Sequence, residues 1–129
     1  MDNEIKRLPD SELKIMQALW QAATPLTRAQ LEQLLNKEDE WAPTTVLSLI
    51  GRLENKGFVE RIKEGKGYLY LALISQHKYM QYESTLVINK LFGGSPTTFM
   101  VALYDGKGLT DDEIKELEDY LKKLKEEEQ

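Results

Sequence analysis

The stretch Trp41-Ala-Pro-Thr-Thr-Val-Leu-Ser-Leu-Ile-Gly-Arg-Leu-Glu-Asn-Lys-Gly57 decides the fold. Pro43 is placed as the first residue of a helix, where its missing N–H costs nothing. Gly57 is placed as the residue that closes the helix in the left-handed conformation. Between them Val46, Leu49, Ile50 and Leu53 recur at i, i+3, i+4 and i+7, one helical face. The opposite face carries Thr44, Thr45, Leu47, Ser48, Gly51, Arg52, Asn55 and Lys56. A helix that merely meets solvent is usually filled with Glu and Lys. Short hydrogen-bonding side chains instead let a helix lie flush against another surface, and the major groove of DNA admits one. A plain surface helix is the rival reading, and this helix alone does not choose between them.

The flanking sequence supplies the context. Asp10 or Ser11 can cap a helix to about Ala22, with Leu13, Met16, Leu19 and Trp20 inward. At that spacing Trp20 reads as core rather than as a binding-site aromatic. Thr24-Pro25 breaks the pattern. Thr27-x-x-Gln30 is a capping box that opens a second helix to about Leu35, with Leu31, Leu34 and Leu35 as its apolar face. Glu38, Asp39 and Glu40 are adjacent carboxylates in the next connection; without further ligands they read as a solvated loop, not a metal site.

After Gly57 the period falls from 3.6 to 2. Phe58–Lys63 and Tyr68–Leu73 are β-prone runs around Glu64-Gly65-Lys66-Gly67, a four-residue turn. This is a β-hairpin with a cationic tip. The Gly-Lys-Gly tip lacks the following helix of a phosphate-binding loop. Three short helices followed by a hairpin is the winged helix-turn-helix plan. In it, 27–35 is the positioning helix, 43–56 the reader and 58–73 the wing, with Lys63 and Lys66 facing phosphates.

Bulk properties agree without deciding. The 129 residues suit one domain with an appended element, and the net charge of −5 does not advertise nucleic-acid binding. The distribution is more telling: Thr44–Tyr70 holds five Lys/Arg against three Asp/Glu, a locally basic stretch that includes the polar-faced helix. There is no cysteine and one histidine, which rules out disulfides, thiolate zinc sites and a cysteine nucleophile. No apolar run is long enough for a bilayer, and the charged N-terminus has no signal-peptide core, so a cytoplasmic protein is expected. No catalytic constellation, metal site or cofactor motif is found.

From Leu8 to about Lys125 the chain closely resembles the penicillinase repressor family, the beta-lactamase and methicillin-resistance repressors. The matching pieces are L-P-D-S-E-L-K-I-M-Q-A-L-W at 8–20, W-A-P-T-T-V-L-S-L-I-G-R-L-E-N-K-G-F-V at 41–59, the wing strand at Gly65–Tyr70, and L-T-D-D-E-I-K-E-L at 109–117. The resemblance implies a homodimeric winged-helix repressor of palindromic double-stranded operators. It also implies a regulatory protease that ends repression by cleaving the dimerisation region; the nearest alignment of its Asn-Phe step is Leu103-Tyr104. The departures are local. Ala42 replaces a frequent Ser and is a poorer cap by roughly 1 kcal/mol. Leu47 stands where Arg is common. Gly51 stands where Thr is common, at about 1 kcal/mol against Ala within a helix. The copper-responsive branch of the family binds metal through C-terminal cysteines, which are absent here.

The remaining third reads as helices that lack a core of their own. Ser75 can cap a helix to about Phe92, ended by Gly93-Gly94. His77 there reads as a surface residue rather than half of a ligand pocket with Tyr82. Thr97–Leu103 is a short apolar helix. Thr110-x-x-Glu113 is a second capping box, opening a helix to about Lys125 with Ile114, Leu117, Leu121 and Leu124 as a seam. A second copy would bury these faces.

The expected fold is therefore mostly α with a small β-hairpin: a winged-helix DNA-binding domain over 1–74 and a helical dimerisation region over 75–129. The expected DNA contacts are Thr44, Thr45, Ser48, Arg52, Lys63, Lys66 and Tyr68. The expected dimer contacts are Tyr82, Leu86, Phe99, Met100, Leu103, Tyr104, Ile114, Leu117 and Leu121. A winged-helix protein-interaction module without DNA binding is the alternative, since the fold also serves that purpose.

Overall fold

The computed structural model describes residues 5–36 and 41–128. The acidic run Glu38–Glu40 lies outside the described residues. The element order is α1 (Asp10–Ala22), β1 (Leu26–Thr27), α2 (Arg28–Leu35), α3 (Pro43–Asn55), β2 (Val59–Glu64), β3 (Gly67–Ala72), α4 (Gln76–Leu91), α5 (Pro96–Asp105) and α6 (Asp111–Glu127). The chain divides into two compact units, Met1–Glu83 and Ser84–Gln129.

The first unit is built around the expected apolar stripes. Ile15, Met16 and Leu19 of α1, Leu31 and Leu35 of α2, and Val46, Leu49, Ile50 and Leu53 of α3 are all buried. Phe58, at 0% exposure, and Val59 carry this core into the sheet. Trp20 is a core residue as expected, half-buried, with its indole N–H donating to the Ile74 carbonyl at 2.9 Å.

Several local expectations are corrected. The N-cap of α1 is Pro9, with no side-chain cap, rather than Asp10 or Ser11. Leu34 is 40% exposed, on the flank of the face whose Leu31 and Leu35 are buried. The hairpin is joined by a third strand, β1, so the sheet runs β1-β3-β2, antiparallel throughout, with Leu26 opposite Tyr70. Glu64 and Gly67 are themselves paired, which leaves a two-residue turn, Gly65-Lys66. Gly65 has φ +60°, a conformation that favours glycine.

The first unit extends past the wing. Ser75 caps α4 through its hydroxyl, which accepts from the Lys78 N–H at 3.1 Å. One turn on, Tyr79 is 3% exposed. Its ring meets Phe58 edge-on with centroids 5.7 Å apart. Its hydroxyl accepts from the Leu8 N–H at 2.8 Å and donates to Glu83 at 2.7 Å.

The second unit has a different character. From Ser84 to Glu128 no described residue is fully buried. Its helices are well terminated: Ser95 caps α5, and the Thr110–Glu113 capping box opens α6. Phe92 and Phe99 meet edge-on at 5.2 Å. Yet Val101, Tyr104, Leu121 and Leu124 remain between 39% and 58% exposed.

Candidate nucleic-acid interface

The ends of α3 are fixed by backbone chemistry. Pro43 occupies the first turn behind Ala42, which makes no side-chain cap. At the other end Gly57 has φ +81°. The Phe58 N–H donates to the Leu53 carbonyl at 2.9 Å and the Gly57 N–H to Glu54 at 3.1 Å. These are the paired bonds of a Schellman closure, and they turn the chain directly from α3 into β2.

A buried ion pair ties the same end to α1. The Lys56 ammonium donates to the Glu12 carboxylate, which is 1% exposed. A carboxylate so buried needs its partner, so this contact holds the C-terminal end of α3 in register with α1. The sequence carried no signal of it, since the partners lie 44 residues apart. A glutamate in a first helical turn reads simply as complementing the helix dipole.

With Val46, Leu49, Ile50 and Leu53 buried, Thr44, Thr45, Leu47, Ser48 and Arg52 are exposed along the opposite stripe. Glu54, a conceivable partner for Arg52, instead pairs with Arg61 at 3.2 Å. An alanine methyl placed at Gly51 would meet nothing within 4 Å, so packing inside the chain does not call for glycine there.

On the wing, Tyr68 lies between two cations. The Arg61 guanidinium sits 4.8 Å from its ring centroid and the Lys63 ammonium 5.4 Å. The register explains the grouping: Lys63 is opposite Tyr68 and Arg61 opposite Tyr70, all on one face. Arg61 was not among the expected contacts; its two-residue spacing from Lys63 puts both on one face of β2, and only the strand register brings Tyr68 to them. Lys66 is at the turn, exposed. The wing and the start of α2, with Leu47 of α3, border an open groove of about 520 Å³, lined among others by Thr27, Arg28, Leu47, Glu64, Lys66 and Tyr68. The structure thus brings the expected α3 residues onto one face and Lys63, Lys66 and Tyr68 onto the adjoining wing.

The sequence profile of the penicillinase repressor family matches residues 8–123. The chain belongs to this family. It is 29% identical over 123 residues to the methicillin resistance regulatory protein MecI of Staphylococcus aureus strain N315, spanning 95% of this chain and 99% of that one. It is 26% identical over 122 residues to the penicillinase repressor of Bacillus licheniformis, covering 95% and 94% respectively. Among solved structures, the Bacillus licheniformis BlaI monomer bound to the blaP half-operator aligns with TM-score 0.51 and 28% identity, over 59% of this chain and 92% of that one. The fold is the winged helix expected, and the family is one of transcriptional repressors.

In the second unit, α5 and α6 border an apolar groove of about 370 Å³ lined by Met100, Val101, Tyr104, Ile114, Leu117 and Leu121, among others. Five of these six were expected at a dimer interface. Phe99 and Leu103 are half-buried in α5, and Tyr82 and Leu86 half-buried on α4. Leu103 and Tyr104 lie within the last turns of α5, so a protease would have to unwind that end to cut between them. Among the described residues no group of His, Asp or Glu is placed to hold a metal ion, and no single helix is long and apolar enough to cross a membrane.

Proposed function

We propose that this protein is a homodimeric, DNA-binding transcriptional repressor of a palindromic operator, acting in the cytoplasm. The observation that carries the reading is the division of α3: four apolar side chains buried, and a face of Thr44, Thr45, Ser48 and Arg52 turned outward beside a cationic wing. Placed in a major groove, Thr45, Ser48 and Arg52 reach base edges together, and an arginine is the usual bidentate partner of guanine. Lys63, Lys66 and Tyr68 lie against the backbone, where lysines neutralise phosphates and release counterions. The BlaI relative whose structure was solved with half-operator DNA supports DNA as the partner.

Dimerisation rests chiefly on the second unit, with Tyr82 contributed by the first. Apolar side chains left open along α5 and α6 gain about 25 cal/mol per Å² when covered, and a two-fold pair of chains covers both copies alike. Tyr82, Leu86, Phe99, Met100, Leu103, Tyr104, Ile114, Leu117 and Leu121 form that interface. A cut introduced after Leu103 separates α6 from the rest and ends dimerisation.

The test is selection of preferred duplexes from a random pool, followed by affinity against salt concentration. Sequence-selective binding with a steep negative salt slope supports the reading. A chain that recovers no preferred duplex, but captures a protein partner through α3, is a protein-interaction module instead.

A further inference from the structure

We infer that Leu47 is a specificity-determining residue that reads the 5-methyl group of a thymine, an inference that rests on the DNA-reading role proposed above. On the outward stripe of α3 the side chains are hydroxyls, an amide and a guanidinium, with one exception. Leu47 is 42% exposed and takes no part in the core. Leu47 stands at the margin of this polar face, on the side of the groove beside the wing, and an apolar side chain left open there has its counterpart outside the chain. Of the base edges presented in the major groove, only thymine offers a methyl group.

Two further observations point to a duplex as the occupant. Leu47 lines the groove shared with Lys66 and Arg28. Arg28 is paired with Glu32 at 2.7 Å, and Glu64 also borders the groove. Lys66 makes no ion pair among the described residues, so it is the cation available to a phosphate beside the apolar contact. One turn further along the stripe is Gly51, where a methyl would meet nothing. The chain leaves that space unfilled beside Leu47, which lets a flat surface approach the helix closely enough for van der Waals contact with the leucine. A duplex supplies all three: a phosphate, a methyl and a flat edge.

The experiment uses the full chain and the tightest duplex recovered from a random pool. Each thymine is replaced in turn by deoxyuridine, which removes only the methyl. One position should weaken wild-type binding about four-fold, the value of one buried methyl group. Leu47→Ala, which keeps a good helix former at an exposed site, should bind the parent duplex more weakly and lose all response to uracil at that position. If no thymine is methyl-sensitive, or if the sensitivity persists in Leu47→Ala, the inference is overturned while DNA reading stands. If selection recovers no preferred duplex, the DNA-reading role fails and the role of Leu47 falls with it.

Discussion

Replacing Gly51 by alanine should make the protein more stable and a worse repressor. Gly51 lies within α3, where glycine is less favourable than alanine by about 0.8–1 kcal/mol. In most helices such a change is complicated by the room available for the new methyl. Here the methyl would meet nothing within 4 Å, so the full propensity gain is expected. For a chain of this size that corresponds to a rise in Tm of about 3–5 °C. On the DNA side the same methyl projects from the outward face of α3, proposed above to meet DNA, between the turns carrying Leu47 and Asn55. Forcing an extra methyl into a close-packed contact costs about 1–3 kcal/mol, which is roughly five- to 150-fold in affinity. Thermal unfolding by circular dichroism and binding to the selected duplex by fluorescence anisotropy measure the two effects on one sample. A lower Tm would show that the glycine serves the fold. An unchanged Kd would show that nothing approaches this face closely, and the argument from open space would be lost.

Further outcomes follow from the same geometry. Arg52→Ala should cost about 1–3 kcal/mol of binding and relax preference at one base pair, whereas a phosphate-only contact would weaken all sequences equally. Lys66→Ala should weaken binding across sequences and lower the salt slope by about one unit, read from titrations at several salt concentrations. A chain ending after Glu83 should sediment as a monomer, keep half-site binding, and lose most of its affinity for a two-half-site operator, because tethering supplies an effective concentration in the millimolar range. Ending it at Ser75 would instead remove Tyr79 from the core. Burial, assisted by Glu83 and opposed by the Leu8 N–H, pushes the Tyr79 hydroxyl up to about 12 from 10.0. The folded state therefore holds this proton more tightly, so its contribution is intact below pH 10 and is lost as pH rises from 10 toward 12. Urea midpoints against pH should fall in that window, and Tyr79→Phe should flatten the fall.

The parts of the fold legible in the sequence are those specified by neighbours in the chain. Pro43 and Gly57 bracket α3, and Thr27 and Thr110 open helices through capping boxes whose two halves lie three residues apart. What the sequence hid depends on distant partners. β1 is two residues long, too short to show alternation, and exists only because β3 offers an edge to pair with. Glu12 is buried because Lys56 reaches it from the end of another helix. Tyr79 lies past the wing, on a helix that reads as a new region, yet its ring and hydroxyl complete the first core. On the interface, the outward face of α3 was legible from its complement, the buried stripe. The cluster of Arg61, Lys63 and Tyr68 needed the strand register, which an apparent four-residue turn had obscured.

The division of α3 bears on how such a protein changes over time. The residues that anchor the helix, Val46, Leu49, Ile50 and Leu53, and those turned outward, Thr44, Thr45, Leu47, Ser48 and Arg52, have no member in common. Drift on the outer set leaves the folded state nearly untouched, since exposed helix positions differ only by intrinsic propensity, a few tenths of a kcal/mol for most residues. Selection on stability is therefore almost blind to the outer set, and the ancestral target can be traded for another one side chain at a time without passing through an unfolded intermediate genotype. Leu47, exposed and outside the core, is a position where this arrangement tolerates such a trade.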